Sequence, residues 1–269
     1  MINYQTAIPS PVLAPYIKKY WSIDVTSEAM GECVERIVPG GMPEMIFYLG
    51  DLPGYHRPNA ESPEAAMISG QQTGWYDIHT NGKMSLFAVL FRPEGLKALF
   101  RLPPVEIADS TISLINIMGR DAHMISERLS IKTTIWERKG IIEDYLIQRS
   151  IPCSDYSFLR IVDSVNIISQ NRGCTDIGYL AKRCCLSIRQ YERTFRSVTG
   201  ITPIKFLRVI RFQNALDIRR RNPGTSLTAL AADSGYYDQS HMISDFHKLS
   251  GLSPGEFFAQ CEPYSDYFS

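Results

Sequence analysis

A 20-residue pattern occurs twice in this chain at a constant interval, and few folds accommodate that. Ser187 to Phe206 reads SIRQYERTFRSVTGITPIKF, and Asp238 to Phe257 reads DQSHMISDFHKLSGLSPGEF. Tyr191 matches Met242, Phe195 matches Phe246, Gly200 matches Gly251, Pro203 matches Pro254 and Phe206 matches Phe257, each pair 51 residues apart. Upstream, Leu180-Ala181 matches Leu230-Ala231 and Cys185 matches Gly235 at an interval of 50, so one residue has been inserted near Tyr237. Self-similarity at a long fixed period signals two copies of one supersecondary unit.

Each copy reads as helix, tight turn, helix. In the first, Thr175 or Asp176 caps a short helix carrying Ile177, Leu180 and Ala181, and the chain turns at Cys185-Leu186. Ser187 caps the second helix and forms a capping box with Gln190, each side chain satisfying an orphan backbone N–H. Ile188, Tyr191, Phe195 and Val198 recur at intervals of three or four and predict one buried stripe, ended by Gly200 in a left-handed cap. Arg189, Gln190, Glu192, Arg193 and Arg196 fall on the opposite face. In the second copy Ser226 caps, Leu227, Leu230 and Ala231 pack, Gly235 turns and Asp238 caps. Met242, Phe246 and Leu249 are expected to point inward, with Gln239, Ser240, His241, Ser244, Asp245 and Lys248 outward. A short helix crossing a second whose exposed face carries Arg, Gln, Ser and His has the form of a DNA-reading helix-turn-helix.

One long helix joins the copies. Thr202 caps it, Pro203 sits in its first turn where a missing N–H is harmless, and Asn222-Pro223-Gly224 stops it. Arg219, Arg220 and Arg221 suit the negative end of the helix dipole. Such a helix spans roughly 28 Å at about 1.5 Å per residue. Successive major-groove segments on one side of a duplex lie about 34 Å apart, so with its flanking turns it can set two reading helices in consecutive grooves. Charge follows the same division. The whole chain is neutral, yet Arg160 to Lys248 holds 14 Lys/Arg against 7 Asp/Glu, concentrating positive charge where phosphate contacts would be needed.

The stretch from about Phe158 to Phe258 resembles the DNA-binding domain of AraC-type bacterial transcription regulators. The features that carry it are LAKRCCLSIRQYERTFRSVTGITPIKFLR, the RFQNAL helix and LAADSGYYDQSHMISDFHKLSGLSP. The resemblance implies DNA contact by Arg189, Glu192 and Arg193 in the first reading helix and by Gln239, Ser240, His241 and Ser244 in the second. By side-chain chemistry, Arg189, Arg193 and Arg196 suit bases and phosphates, and Gln190 and Glu192 suit base edges. Lys182, Arg183, Arg208 and Arg211 can serve phosphates or solvent equally. Two departures stand out: Cys185 replaces the usual small turn residue, and Ser244-Asp245 stand where the family often has Arg or Thr, so weaker base reading is expected there.

The N-terminal half reads as β-rich, a small barrel or sandwich. Tyr20 to Val25 alternates like a half-buried strand, whereas Glu44 to Leu49 and Met84 to Phe91 are continuous apolar runs expected to be covered on both faces. Trp75 to His79 is a further strand, Asn81-Gly82 a hairpin turn, Pro53 to Pro63 an exposed loop and Pro93 to Phe100 a short helix. This half resembles a domain of uncharacterised function that precedes AraC-type DNA-binding halves, through Tyr20-Trp21, Pro39-Gly40-Gly41 with its following apolar strand, and the FRPEG run. Trp21, Tyr48, Trp75 and His79 are candidates for an aromatic-lined ligand site, although each suits an ordinary core position as well. Asp121 to Ser130 and Thr134 to Arg149 are amphipathic, Thr134 forming a capping box with Glu137, and can pack against a second subunit or on their own barrel.

The expected class is therefore α+β, with a β-rich sensor or regulatory domain over 1–118, connecting helices suited to dimerisation over 119–152, and a double helix-turn-helix domain over 153–269. Ser150 to Asp155 is the expected linker. Cys33, Cys153, Cys174, Cys184, Cys185 and Cys261 make no C-x-x-C pair, so reduced packing cysteines are expected. No Gly-rich phosphate loop, G-x-S-x-G elbow or metal-ligand spacing occurs, so neither cofactor, metal site nor enzymatic activity is expected. With no signal-peptide pattern and no apolar run of about 18–20 residues, a cytoplasmic location without membrane insertion is expected. The expected partners are double-stranded DNA, RNA polymerase, a small-molecule effector and a second copy of the chain. A ligand-binding or protein-interaction protein is the alternative, and an enzyme with a DNA-targeting module a third reading.

Overall fold

The structure is a computed structural model describing residues 2–25, 33–56, 63–80, 83–100, 102–149 and 155–260. The Asn81-Gly82 turn, most of the loop after Pro53 and the linker from Ser150 to Ser154 lie outside those residues. The chain divides into two compact units. One comprises Met1–Arg36, Met42–Gln71 and Tyr76–Cys153, the other Ile37–Gly41, Gln72–Trp75 and Ser154–Ser269.

The first unit is built on a six-stranded antiparallel sheet and a smaller three-stranded one. In chain order the strands are β1 (Ile2–Ala7), β2 (Ile17–Val25), β3 (Cys33–Ile37), β4 (Glu44–Tyr48), β5 (Gly54–His56), β6 (Ala66–Ser69), β7 (Tyr76–Thr80), β8 (Ser85–Phe91) and β9 (Thr111–Ser113). The large sheet runs β1-β2-β8-β4-β6-β9 and the small one β3-β7-β5. Every residue of β8 is buried, as its unbroken apolar run requires of a central strand covered on both faces. On β2, Tyr20, Trp21, Ser22 and Ile23 are all buried. The half-buried reading of that strand is thus corrected: successive side chains point to opposite faces, and both sets are buried here.

The helices α1 (Gly95–Phe100), α2 (Ile115–Met118), α3 (Arg120–Ser130) and α4 (Ile135–Arg149) complete this unit. One core joins Tyr20, Met45, Phe47, Phe87, Val89 and Phe91 of the sheet to Ile125 and Leu129 of α3 and Ile142 and Leu146 of α4. Tyr20 lies parallel to Phe87 at 6.0 Å between ring centroids. Its hydroxyl donates to Glu143 of α4 at 3.1 Å, which pins the helix to the strand beneath. The apolar stripe of α4 is therefore spent on its own sheet. The Thr134–Glu137 capping box forms at its start.

The second unit holds α5 (Tyr156–Gln170), α6 (Ile177–Arg183), α7 (Ile188–Thr199), α8 (Pro203–Arg221), α9 (Leu227–Asp233), α10 (Gln239–Ser250) and α11 (Pro254–Gln260). Each expected cap is present: Asp176 on α6, Ser187 on α7, Thr202 on α8, Ser226 on α9 and Asp238 on α10. Gly200 and Gly251 end the two 12-residue reading helices in the left-handed region, at φ 92° and 75°. The 19-residue α8 serves both halves of the repeat. Phe206 meets Phe195 of α7 at 5.6 Å, and two turns on Phe212 meets Phe246 of α10 at 4.8 Å, ring to ring. Two expectations fail here. Ile188 is 54% exposed, so the stripe that packs begins one turn later at Tyr191. Asp245 is 1% exposed rather than outward. It stands three residues after Met242 and four before Leu249, which places it on the inward face.

Candidate nucleic-acid interface

The first helix-turn-helix is α6, a tight turn and α7. Cys185 takes the left-handed conformation at φ 53°, which an L-residue adopts at a cost of about 1–2 kcal/mol. Gly235, at the matching place between α9 and α10, has φ 77°, and a Cβ there would lie 2.0 Å from Cys174 Sγ, so only glycine fits. The turn of the second unit therefore has less room than that of the first.

On α7, Arg189, Gln190, Arg193 and Arg196 are exposed, and Glu192 is half-buried. Gln190 Oε1 accepts from Ser187 N–H at 3.1 Å and from Ser187 Oγ at 2.9 Å, so this side chain is engaged as the return half of the capping box. That leaves the three arginines as the exposed cationic side chains of this helix. Tyr191 anchors the opposite face: its hydroxyl shares a 2.6 Å hydrogen bond with Ser164 of α5, and burial pushes its ionisation up.

On α10, Ser240, His241, Ser244 and Lys248 are exposed and Gln239 is half-buried, its Oε1 accepting from Thr228 Oγ1 at 3.2 Å. His241 stands edge-on to Tyr236 at 5.2 Å between ring centroids, with Nε2 3.8 Å from Asp245 Oδ2. Arg208 of α8 pairs through Nε with Asp245 Oδ1 at 2.9 Å. Arg211 donates to Gly173 O at 3.1 Å and lies over the Tyr236 ring at 5.4 Å. Arg183 pairs with Asp163 at 2.9 Å, whereas Lys182 is exposed. Arg208 therefore ties α8 to α10, and Arg211 ties α8 to the turn after α5; on sequence grounds both suit phosphate and solvent equally.

The four aromatic and histidine positions proposed for a ligand fall on different elements. Trp21 is buried and donates through Nε1 to Glu44 Oε1 at 2.5 Å, across β8. Two-residue periodicity puts Tyr48 on the same face as Glu44. His79 stands on β7 of the small sheet, and Trp75, 40% exposed, falls in the segment Gln72–Trp75 that groups with the helical unit. Glu44, which the sequence reading overlooked, is 7% exposed, and desolvation pushes its carboxyl up to about 7 against the opposing Trp21 hydrogen bond and Lys19 charge. Among the described residues, Cys184 is buried while Cys174 and Cys185 are exposed free thiols, so packing accounts for one of the three. The side chain of Cys33 and all of Cys153 and Cys261 lie outside the described residues. Among those residues no helix is long and apolar enough to cross a membrane.

Two helix-turn-helix units joined by one shared helix define a class, the double helix-turn-helix domain. Residues 180–260 match a family model described as a helix-turn-helix domain, and residues 5–113 match one described as a domain of unknown function. Both matches are in keeping with the AraC-type resemblance read from the sequence. Over 77 residues it is 32% identical to the HTH-type transcriptional activator RhaS of Escherichia fergusonii, covering 29% of this chain and 27% of that protein. Over 93 residues it is 27% identical to an uncharacterised HTH-type transcriptional regulator of Haemophilus influenzae, covering 35% and 31% of the two chains. The chain thus spans about a third or less of the length of these curated relatives. Among solved structures, an apo variant of ToxT from Vibrio cholerae superposes with a TM-score of 0.50 at 9% identity, over 97% of this chain and 98% of that one, a likeness of fold.

Proposed function

We propose that the protein is a sequence-specific DNA-binding transcription regulator in which α7 and α10 enter consecutive major grooves of one duplex. The observation that carries this is the repeated surface. Two capped helices of equal length, each anchored by apolar residues on one side, leave Arg189, Arg193 and Arg196 on one copy and Ser240, His241, Ser244 and Lys248 on the other exposed. Both are tied to the same α8. The named relatives are regulators of transcription, in keeping with this assignment.

In this reading Arg193 and Arg189 reach guanine edges or phosphates, Arg196 supplies phosphate contact, and Gln190 serves chiefly as a cap with its amide NH2 left for a base edge. Gln239, Ser240, His241, Ser244 and Lys248 form the second surface, in which Ser and His hydrogen bonding replaces the arginines of the first. The N-terminal unit regulates the other through an effector, a second copy or RNA polymerase. Its Trp21–Glu44 pair is a buried polar contact of the sheet to which an effector would respond.

The experiment is selection of genomic fragments by the purified full chain, followed by a salt titration on the enriched fragment. Affinity that falls steeply with salt, with a preference for that fragment over random duplex, is the expected result. Arg193→Ala should weaken binding to the selected fragment by about 1–3 kcal/mol and relax sequence preference at one position. No enrichment over random DNA at low salt would leave a protein-interaction role for the helical unit.

A further inference from the structure

One position of the repeat carries a buried charge in the second copy and an uncharged, half-buried side chain in the first. Asp245 corresponds to Thr194, 51 residues earlier, and both stand three residues after the first aromatic or Met anchor of their helix. Thr194 keeps to its own helix, its hydroxyl donating to Gln190 O at 2.8 Å. Asp245 instead reaches out of its helix to Arg208, 2.9 Å away on α8, and its side chain is 2% exposed. Its second oxygen, Oδ2, is buried without a hydrogen-bond partner and faces His241 Nε2 at 3.8 Å. Caps, helix length and apolar stripe are common to both units, so the helix-turn-helix itself does not require this carboxylate.

A charge pair with its carboxylate buried is a poor source of net stability, because desolvation of the carboxylate offsets the attraction. Its best-attested use is to single out one register among several. Met242, at the start of the α10 stripe with Phe246 and Leu249, is an adaptable side chain, so the apolar packing of that end specifies the helix's rotation less sharply than a directed pair does. The Arg208–Asp245 pair does not tolerate a change of rotation, since Nε and Oδ1 must stay within hydrogen-bond reach.

We infer that Asp245 is a positioning residue for the second reading helix: held by Arg208 and facing His241, it sets the rotation of α10 and thereby which of its exposed side chains reach base edges. This rests on the DNA-binding role proposed above. Asp245 itself touches no DNA. Its effect passes to His241, one turn earlier on the same helix and 43% exposed in its side chain, and to Ser244 and Lys248 beside it.

The test is a double-mutant cycle in the full chain, with Asp245→Asn, Arg208→Gln and the double variant, measured on the selected fragment and on random duplex at the same salt. Footprints resolve the two protected segments, and Arg193→Ala marks the one read by α7. The expected result is that Asp245→Asn weakens specific binding about tenfold, that adding Arg208→Gln costs little more because the partners are coupled, and that random-duplex affinity is unchanged. Protection should weaken only in the segment that Arg193→Ala leaves intact. If Asp245→Asn does not fold, Asp245→Thr, which installs the first copy's own residue, takes its place with the same expectations. Wild-type specificity in the variant, additive losses, or equal weakening on both duplexes overturns the inference while leaving the regulator reading intact. Failure of the wild-type chain to prefer any fragment removes both.

Discussion

Glu44 and Asp245 show how much a single buried carboxylate depends on neighbours that a linear reading does not supply. Glu44 precedes an apolar run and carries no periodic mark of its own; only pairing of β4 with β8, and of β8 with β2, brings it to Trp21. Its carboxyl is raised from the usual 4.5 to about 7, so in this respect the folded state binds the proton more tightly than the unfolded one. The stabilisation from that proton is complete below about pH 4.5 and is lost as pH rises through about 7. Glu44→Gln, which keeps the acceptor for Trp21, should therefore flatten the fall in stability of the N-terminal unit between those limits, by roughly 3 kcal/mol at most. Urea unfolding of the full chain at pH 5 and pH 8, followed by tryptophan fluorescence, checks this; an unchanged pH profile would refute the assignment. Asp245, by contrast, was open to the eye. Its spacing from Met242 and Leu249 marks the inward face, and only the habit of placing charge outside argued otherwise.

Elements were the most legible level, because caps and stripes are local. The cap at Ser187 with Gln190, the stop at Asn222 and the left-handed Gly200 all follow from a few neighbouring residues. Ser187→Ala should cost about 1 kcal/mol in chemical unfolding, since it removes the hydroxyl that accepts from the Gln190 N–H and leaves only the backbone half of the capping box. The turns offer a sharper comparison. Cys185→Gly should be neutral or stabilising by up to about 1 kcal/mol, as relief of the left-handed strain outweighs the extra freedom of the unfolded chain. Gly235→Ala should destabilise the second unit by more than that, because its φ is 77° and its Cβ would strike Cys174 Sγ. Equal effects at the two turns would contradict the difference seen in their surroundings. Strand β2 was misread because alternation reports which face is polar, whereas neighbouring strands and the helices above decide whether that face is covered. The short strands β5 and β9, three residues each, are too brief for any periodic signal.

For the molecule as a whole, the linkage of two reading surfaces by one α8 implies a fixed distance between half-sites. A natural site should show two protected segments about 10–10.5 base pairs apart, centre to centre. Inserting five base pairs between them puts the segments on opposite sides of the duplex, and affinity should fall to that of a single half-site; gel-shift titration measures it. An unchanged affinity would mean the two surfaces act independently, contrary to their sharing of α8 through Phe206 and Phe212.

The double helix-turn-helix was legible in the sequence because repetition, capping and basic charge are written along the chain at short range, where the 3.6-residue period and a few side-chain-to-backbone bonds suffice. Tertiary structure alone decided which partners the charges met. Arg208 and Asp245 became a tie between α8 and α10, Arg211 a tie from α8 to the turn after α5, and Glu44 a buried acid of the sheet, because partners distant in sequence met them. Burial of a charge is a property of the neighbours it acquires, and those are known only once the chain has closed on itself.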